Sequence, residues 1–214
     1  MPLDLDRLKQ LLSPKTLFKP RAVTLTGERL YAQCVTQSRQ PVFYLDYGVE
    51  DAIGARFELL TFHVGLVINA LRGVAESDSR HEQARDTAQA LFDAFVGALD
   101  NTLREQGTGD LSVGKKMKPL GRTIYTRFKA WDDLWTTGDA AARADYAART
   151  LFAGTAYDGN EAEAPEVESP QPEAFAAYAA EAHKQLDLED ILRGQINWCE
   201  IAPVSPAAES AQTA

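Results

Sequence analysis

The sequence has few cysteines, few histidines and no clustered metal ligands, and each scarcity excludes a class of protein. Two cysteines in 214 residues, Cys34 and Cys199, give neither a disulfide framework nor a paired CxxC metal site, which favours a reducing, cytoplasmic compartment. The three histidines are scattered, and no HExxH pattern accompanies them. We therefore expect a protein without catalytic residues, metal or cofactor, which is not an enzyme.

Long uninterrupted apolar runs are also missing. The most apolar stretch, residues 59–74, contains His63, Asn69 and Arg72, whereas a membrane-spanning helix needs roughly 20 consecutive apolar residues. The first six residues include two acids where a secretory signal would carry positive charge. The sequence thus predicts a chain with no transmembrane segment, in which the apolar stretch forms a buried core helix.

The formal charge of -9 opposes a DNA-binding role, because such proteins need a basic surface to displace counterions from phosphates. Acids concentrate in residues 157–172, which contain three prolines and no Lys or Arg. This composition cannot bury enough apolar surface to fold, so we expect a flexible insert there. A helical core over 1–156, a C-terminal helical segment over 173–202 packed on the core, and a loose tail over 203–214 complete the predicted organisation.

Apolar positions recur at helical spacing, and strand-like alternation is almost absent. The pattern predicts an all-α fold, a single compact domain of about six to eight helices. The strongest helix follows an N-cap at Asp51 and is apolar on most of its circumference, which places it at the centre. Residues 42–45 are expected to be extended or irregular. The other predicted helices are a short one before Pro14, then Thr26 to Ser38, Ser77 to Gly107, Met117 to Trp135, Ala140 to Phe152 and Phe175 to Leu186.

Residues 109–116 imitate a phosphate-binding loop without its context. They match GxxxxGK, but Lys116 occupies the position where Ser or Thr should bind magnesium, and Asp110 would lie beside the phosphates. The segment follows a helix that ends at Gly107, whereas a phosphate-binding loop follows a buried strand. We interpret its glycines as the turn between two helices.

Four basic residues, Lys115, Lys118, Arg122 and Lys129, share one face of a predicted helix in an otherwise acidic protein. Such a strip is usually a solvated face. The functional alternative is electrostatic docking to an anionic membrane surface or to ribosomal RNA.

Two stretches carry a resemblance to a known family. The first combines QSRQPVFY at residues 37–44, GVED at 48–51 and RFELLTFH at 56–63. The second combines LFD at 91–93, LRE at 103–105, GDL at 109–111 and VGK at 113–115. From about Leu30 to Phe152 the chain resembles the ubiquinol-cytochrome c chaperone family of mitochondria and related bacteria.

The resemblance implies an all-helical chaperone that binds newly made cytochrome b and supports assembly of the respiratory ubiquinol-cytochrome c reductase, complex III. From the mitochondrial members it also implies a small partner protein and a meeting with the client near the ribosomal tunnel exit. The chain departs from the family pattern at Ala55, Glu58, Gln106 and Thr108, where glycine, aspartate, methionine and valine are usual. We expect these departures to affect the client surface rather than the fold.

A chaperone for a membrane protein needs an apolar groove, because apolar surface left in water costs roughly 25 cal/mol per Å². The candidate client-binding residues are Tyr44, Arg56, Phe57, Leu60, His63, Phe92 and Phe95. A place in the core is the alternative for each of them, and a hydrogen-bonded helix contact is the alternative for the histidine. The candidate residues for docking a partner, the membrane or the ribosome are Arg104, Asp110, Lys115, Lys118 and Arg122.

Two other functions stay open on the sequence alone. One is a non-enzymatic adapter that docks on the ribosome, or peripherally on the cytoplasmic face of the inner membrane, without shielding a client. Charged substitutions at Phe57 or Leu60 separate the two, since only a chaperone would lose client capture. The other is a small-molecule or haem binder, although neither a CxxCH motif nor paired axial ligands support haem.

Overall fold

Every regular element in the described part of the chain is helical. The computed structural model describes residues 21–137, 139–153 and 171–204. The predicted all-α single domain is confirmed. Its elements are α1 Arg21–Ser38, α2 Pro41–Leu45, α3 Ile53–Arg72, α4 His81–Glu105, α5 Asp110–Thr137, α6 Ala140–Ala147 with a π-helical turn Ala148–Phe152, α7 Gln171–Gln185 and α8 Leu188–Leu192.

Helix α3 lies at the centre of the domain, as its apolar circumference predicts. One side, with Phe57, Val64 and Leu71, packs against α1, α4, α5 and α8. Another side, with Leu59 and Leu66, belongs to a second cluster with α2, α6, α7 and residues 198–204. By length and composition alone α3 could cross a membrane, but 61% of its apolar window is buried inside this fold. The prediction of a buried core helix is confirmed.

Three predicted regions lie wholly or mostly outside the described residues. They are the short helix before Pro14, the acidic insert and the tail. Helix α7 begins at Gln171, so the last two residues of the predicted insert are helical. Pro172 is buried in the first turn of α7. Backbone N–H groups in a first turn make no intrahelical hydrogen bonds, so a proline, which lacks this group, is tolerated there. After α8 the chain is irregular up to residue 204.

Two local predictions before α3 are wrong. Residues 42–45 form helix α2 because Pro41 fixes a helical φ at its first position, and the buried Phe43 anchors that turn in the core. The N-cap of α3 is Ala52, which makes no side-chain capping bond. The Asp51 carboxylate instead accepts a hydrogen bond of 2.5 Å from Arg56 Nε.

Helix α5 begins at Asp110, well before the predicted start near Met117. The turn between α4 and α5 is therefore shorter than the glycines of residues 109–116 predict. Gly107 has φ +82°, and Gly114 already lies inside α5. Glycine and proline suggest a break in this segment, but Val113 and Leu120 are buried on the side that faces the core. Tertiary burial outweighs the weak local propensity.

One ion pair is buried between the central helix and α5. Arg127 donates from Nε to Glu58 Oε2 at 2.8 Å and from Nη2 to Oε1 at 2.9 Å. The two side chains are only 2% and 9% exposed. The carboxylate also lines a cavity of about 10 Å³ beside Phe62 and Trp131. The departure from the family pattern at Glu58 thus concerns a helix contact and not an exposed surface.

A second buried polar feature is a chain of hydrogen bonds that joins three helices through His63 and Tyr178. His63 Nδ1 lies 2.7 Å from the carbonyl of Leu59, so this nitrogen carries the proton. His63 Nε2 therefore accepts from the Tyr178 hydroxyl at 2.8 Å. The same hydroxyl accepts from Gln37 Nε2 at 3.0 Å. The chain of bonds fixes α1, α3 and α7 relative to one another.

Removing the carboxylate of Glu58 should destabilise the fold strongly, because the Arg127 guanidinium would be left charged in the core. We expect Glu58→Ala to lower the free energy of unfolding by about 3–5 kcal/mol in urea denaturation. Asp133→Ala is the control, since it removes a pair with Lys129 whose side chains are 66% and 60% exposed, and should change little. Equal effects of the two substitutions would contradict this account.

Burial lowers the pKa of His63 to about 4 from its ordinary value near 6.5. Between these values the unfolded chain binds a proton that the folded chain does not, so stability is complete above pH 6.5 and falls as the pH decreases towards 4. The loss attributable to this residue should reach roughly 3 kcal/mol. Chemical denaturation at several pH values should show a smaller loss for His63→Gln than for the unsubstituted chain; parallel curves would exclude the assignment.

Candidate functional site

The structure places the predicted client-binding residues at different depths. Phe57, His63 and Phe95 are 7%, 0% and 0% exposed, so the core uses their side chains. Leu60 and Phe92 are half-buried and pack against the same cluster as Phe57. In this conformation these five residues build the domain rather than line an open groove. The half-buried Tyr44 and the exposed Arg56 lie at the surface instead.

The most exposed large apolar side chains lie where α2 leads into α3. Leu45 is 80% exposed and Ile53 is 64% exposed. Ile53 and Leu60 are seven residues apart on α3, two helical turns, and so share one face. We call Tyr44, Leu45, Ile53, Arg56 and Leu60 the corner surface.

Buried residues hold the backbone of the corner surface in place. Phe43, Tyr47 and Val49 alternate with the exposed positions and are at most 2% exposed. The N–H groups of Tyr47 and Val49 donate to the carbonyls of Val42 and Phe43, both at 3.0 Å. The Tyr47 hydroxyl donates to the carbonyl of Ala202 at 3.0 Å. The exposed side chains are thus presented by an anchored segment, which suits a binding site.

The loop before α3 also carries a local ion pair. The hydrogen bond from Arg56 lowers the pKa of Asp51 below its ordinary value, and the same bond raises the pKa of Arg56. Partial burial raises the pKa of Tyr44, against the opposing charge of the nearby Arg56. The Tyr44 hydroxyl donates to the carbonyl of Ser38 at 3.0 Å. The corner surface therefore combines two exposed aliphatic side chains with a neutralised ion pair.

Leu45 and Ile53 are not among the residues that the sequence predicts for client binding. Each lies two positions from a buried residue, Phe43 and Ala55, and the helical turns of α2 and α3 decide which of them point outward. If residues 41–45 are helical, Phe43 and Leu45 point to opposite sides, so burial of Phe43 leaves Leu45 exposed. The prediction of an extended segment placed both side chains on the same side and so did not identify Leu45 as exposed.

The five predicted docking residues separate into two groups. Arg104 pairs with Asp100 at 2.6 Å and also with Asp110, so it links the end of α4 to the start of α5. The hydrogen bonds that Arg104 donates to these two carboxylates raise the pKa of Arg104. Lys115, Lys118 and Arg122 are exposed on the outer face of α5.

The described residues contain no cluster of three or more His, Cys, Asp or Glu side chains that could hold a metal ion. The two cysteines are buried and unpaired, and burial raises the pKa of the Cys34 and Cys199 thiols. Protonated, buried thiols are poor nucleophiles and poor metal ligands. Among the described residues, our candidate surfaces for function are the corner surface and the outer face of α5.

Comparison with known proteins supplies the family. A family model described as ubiquinol-cytochrome C chaperone matches residues 45–198, more than two thirds of the chain. The crystal structure of the Cbp3 homolog from Brucella abortus is similar to this structure, with a TM-score of 0.66 and 27% sequence identity. The similarity covers 94% of this chain and 98% of that chain. No curated protein matches the chain. The chain belongs to the ubiquinol-cytochrome c chaperone family.

Proposed function

We propose that this protein is a non-enzymatic assembly chaperone of the ubiquinol-cytochrome c reductase whose client is newly made cytochrome b. The observation that carries the proposal is the family match over residues 45–198, which includes the central helix and most of both core clusters. The similarity to the Cbp3 homolog over nearly its whole length supports the same conclusion. The client is a membrane protein, so the chaperone acts on apolar segments before they are integrated.

The corner surface is our candidate for the client contact. A newly made membrane protein presents apolar side chains to water, and its chaperone must offer apolar surface in return. Leu45 and Ile53 are mostly exposed without a partner protein, so most of their apolar area is still available for burial. Covering the two side chains would contribute about 3 kcal/mol, roughly a hundredfold in affinity.

The position of these two residues supports a binding role over a folding role. A large aliphatic side chain left in water contributes little to the stability of the free domain. Leu45 and Ile53 flank one anchored loop, and the Asp51–Arg56 pair beside them can orient a polar end of the client segment. Isolated exposed aliphatic side chains are ordinary, but two of them at the ends of one anchored loop favour an interface.

The proposal is tested by synthesising cytochrome b in a cell-free system without membranes, in the presence of the tagged chaperone. Leu45→Asp combined with Ile53→Asp should reduce co-purified cytochrome b at least tenfold, because the substitutions remove apolar contact area and bring two negative charges to the contact surface. Thermal unfolding should be unchanged, since neither side chain packs in the core.

Leu25→Asp is the matched control. Leu25 is 42% exposed, the same residue type on the outside of α1, and its substitution should leave capture intact. Capture by the double variant equal to that of the control would show that the client binds elsewhere. Capture of cytochrome b no better than that of an unrelated membrane protein would overturn the client itself.

A further inference from the structure

Helix α5 concentrates positive charge in a chain that is otherwise acidic. Residues 111–131 contain six Lys and Arg and no Asp or Glu, although the whole chain has a formal charge of -9. One of the six, Arg127, is buried with Glu58. The remaining charges are exposed. An acid-free run of this length on the surface of an acidic protein favours an anionic binding partner.

The exposed charges share one side of the helix. Lys115, Lys118 and Arg122 follow the spacing i, i+3, i+7, and Tyr125, which is 45% exposed, continues the same line. We call these four residues the basic face. The helix buries Leu120 and Ile124 on its opposite side. The basic face therefore points away from the core.

Within the described ranges, acids neutralise the charges at either end of the basic face but not those in it. Lys129 pairs with Asp133 at 2.5 Å, and Asp110 pairs with Arg104. Among the ion pairs of the described residues, none includes Lys115, Lys118 or Arg122. Among the elements that the structure describes, none covers the helix at Gly114 or Gly121, because a Cβ added at either position would meet nothing within 4 Å.

We propose that the basic face docks this protein on the surface of a membrane that contains anionic lipid. A lipid surface offers closely spaced negative headgroups in one plane, which a single helix face can contact without the rest of the protein. Tyr125 fits the headgroup region, where an aromatic ring with a polar end is favourable. The positive charge of the basic face complements the negative lipid surface, and that surface repels the acidic remainder of the protein.

The size of the basic face favours lipid over RNA. The three cations span about 10 Å of helix axis, at 1.5 Å per residue. RNA-binding surfaces usually combine a larger basic area with several aromatic side chains for base stacking.

The basic face and the corner surface lie on different sides of α3. Helix α5 contacts α3 through Glu58 and through Phe128, which lies against Gly65. At 100° per residue, Glu58 and Gly65 lie about 120–160° round α3 from Ile53 and Leu60. Membrane docking and client capture can therefore occur together, and each can fail without the other. This inference goes beyond the proposed function and does not depend on the client.

The test is flotation of the purified full chain with vesicles of phosphatidylcholine, with or without phosphatidylglycerol. We expect binding only to vesicles with the anionic lipid, and release at high salt, because headgroup attraction is screened. Combining Lys115→Glu, Lys118→Glu and Arg122→Glu should weaken binding by about fivefold or more for each charge removed. Tyr125→Ala should weaken binding less and leave its salt dependence in place.

The matched control combines Arg29→Glu, Arg85→Glu and Arg193→Glu, which changes the net charge equally on exposed positions away from α5. It should bind anionic vesicles far better than the basic-face variant. Equal loss in both variants, or no binding by the unsubstituted chain at low salt, would overturn the proposal. Binding of a structured RNA through the basic face without vesicle binding would also overturn it. In the membrane-free client assay the basic-face variant should capture cytochrome b normally.

Discussion

The central helix α3 must be covered on nearly every side, and this requirement arranges the rest of the molecule. Its apolar residues extend round the whole cylinder, so one layer of helices cannot bury them. Helices α1, α4, α5 and α8 pack against one side of it, and α2, α6 and α7 pack against another. The close approach of α5 depends on Gly65, where a Cβ would lie 2.8 Å from the ring of Phe128. The first turn of α3 is open to solvent at Ile53, which is 64% exposed.

The same helix carries the polar contacts that fix its neighbours in register. Glu58 holds α5 through two charge-assisted hydrogen bonds, and His63 holds α7 through Tyr178. Apolar packing is not directional, whereas these bonds have one satisfactory geometry each. Their removal leaves buried polar groups without partners, which explains why an all-helical core of this kind keeps them. We propose that function belongs to exposed positions instead: the corner surface at one end of α3 and the basic face on the outside of α5.

The sequence predicts the long helices and the central place of α3, because an apolar pattern over five helical turns has one interpretation. It does not predict which aromatic residues are free to bind. Phe57, His63 and Phe95 resemble groove-lining residues within the matching segments, but contacts with distant residues bury them: Tyr178 is 115 positions from His63. Leu45 escapes notice for the opposite reason: it is only two residues from the buried Phe43, and the helical geometry of α2 turns the two side chains to opposite sides. The start of α5 is hidden by Gly114 and Pro119, whose poor local propensity is outweighed by burial of Val113 and Leu120.

The central claim, a chaperone that meets cytochrome b early in assembly, is tested most directly in the native host. The tagged protein would be crosslinked in growing cells, purified under denaturing conditions, and its partners quantified by mass spectrometry. The account predicts that cytochrome b is enriched well above the other subunits of the reductase, because the chaperone leaves before the enzyme is complete. Equal recovery of all reductase subunits, or recovery of ribosomes or lipids without cytochrome b, would contradict it.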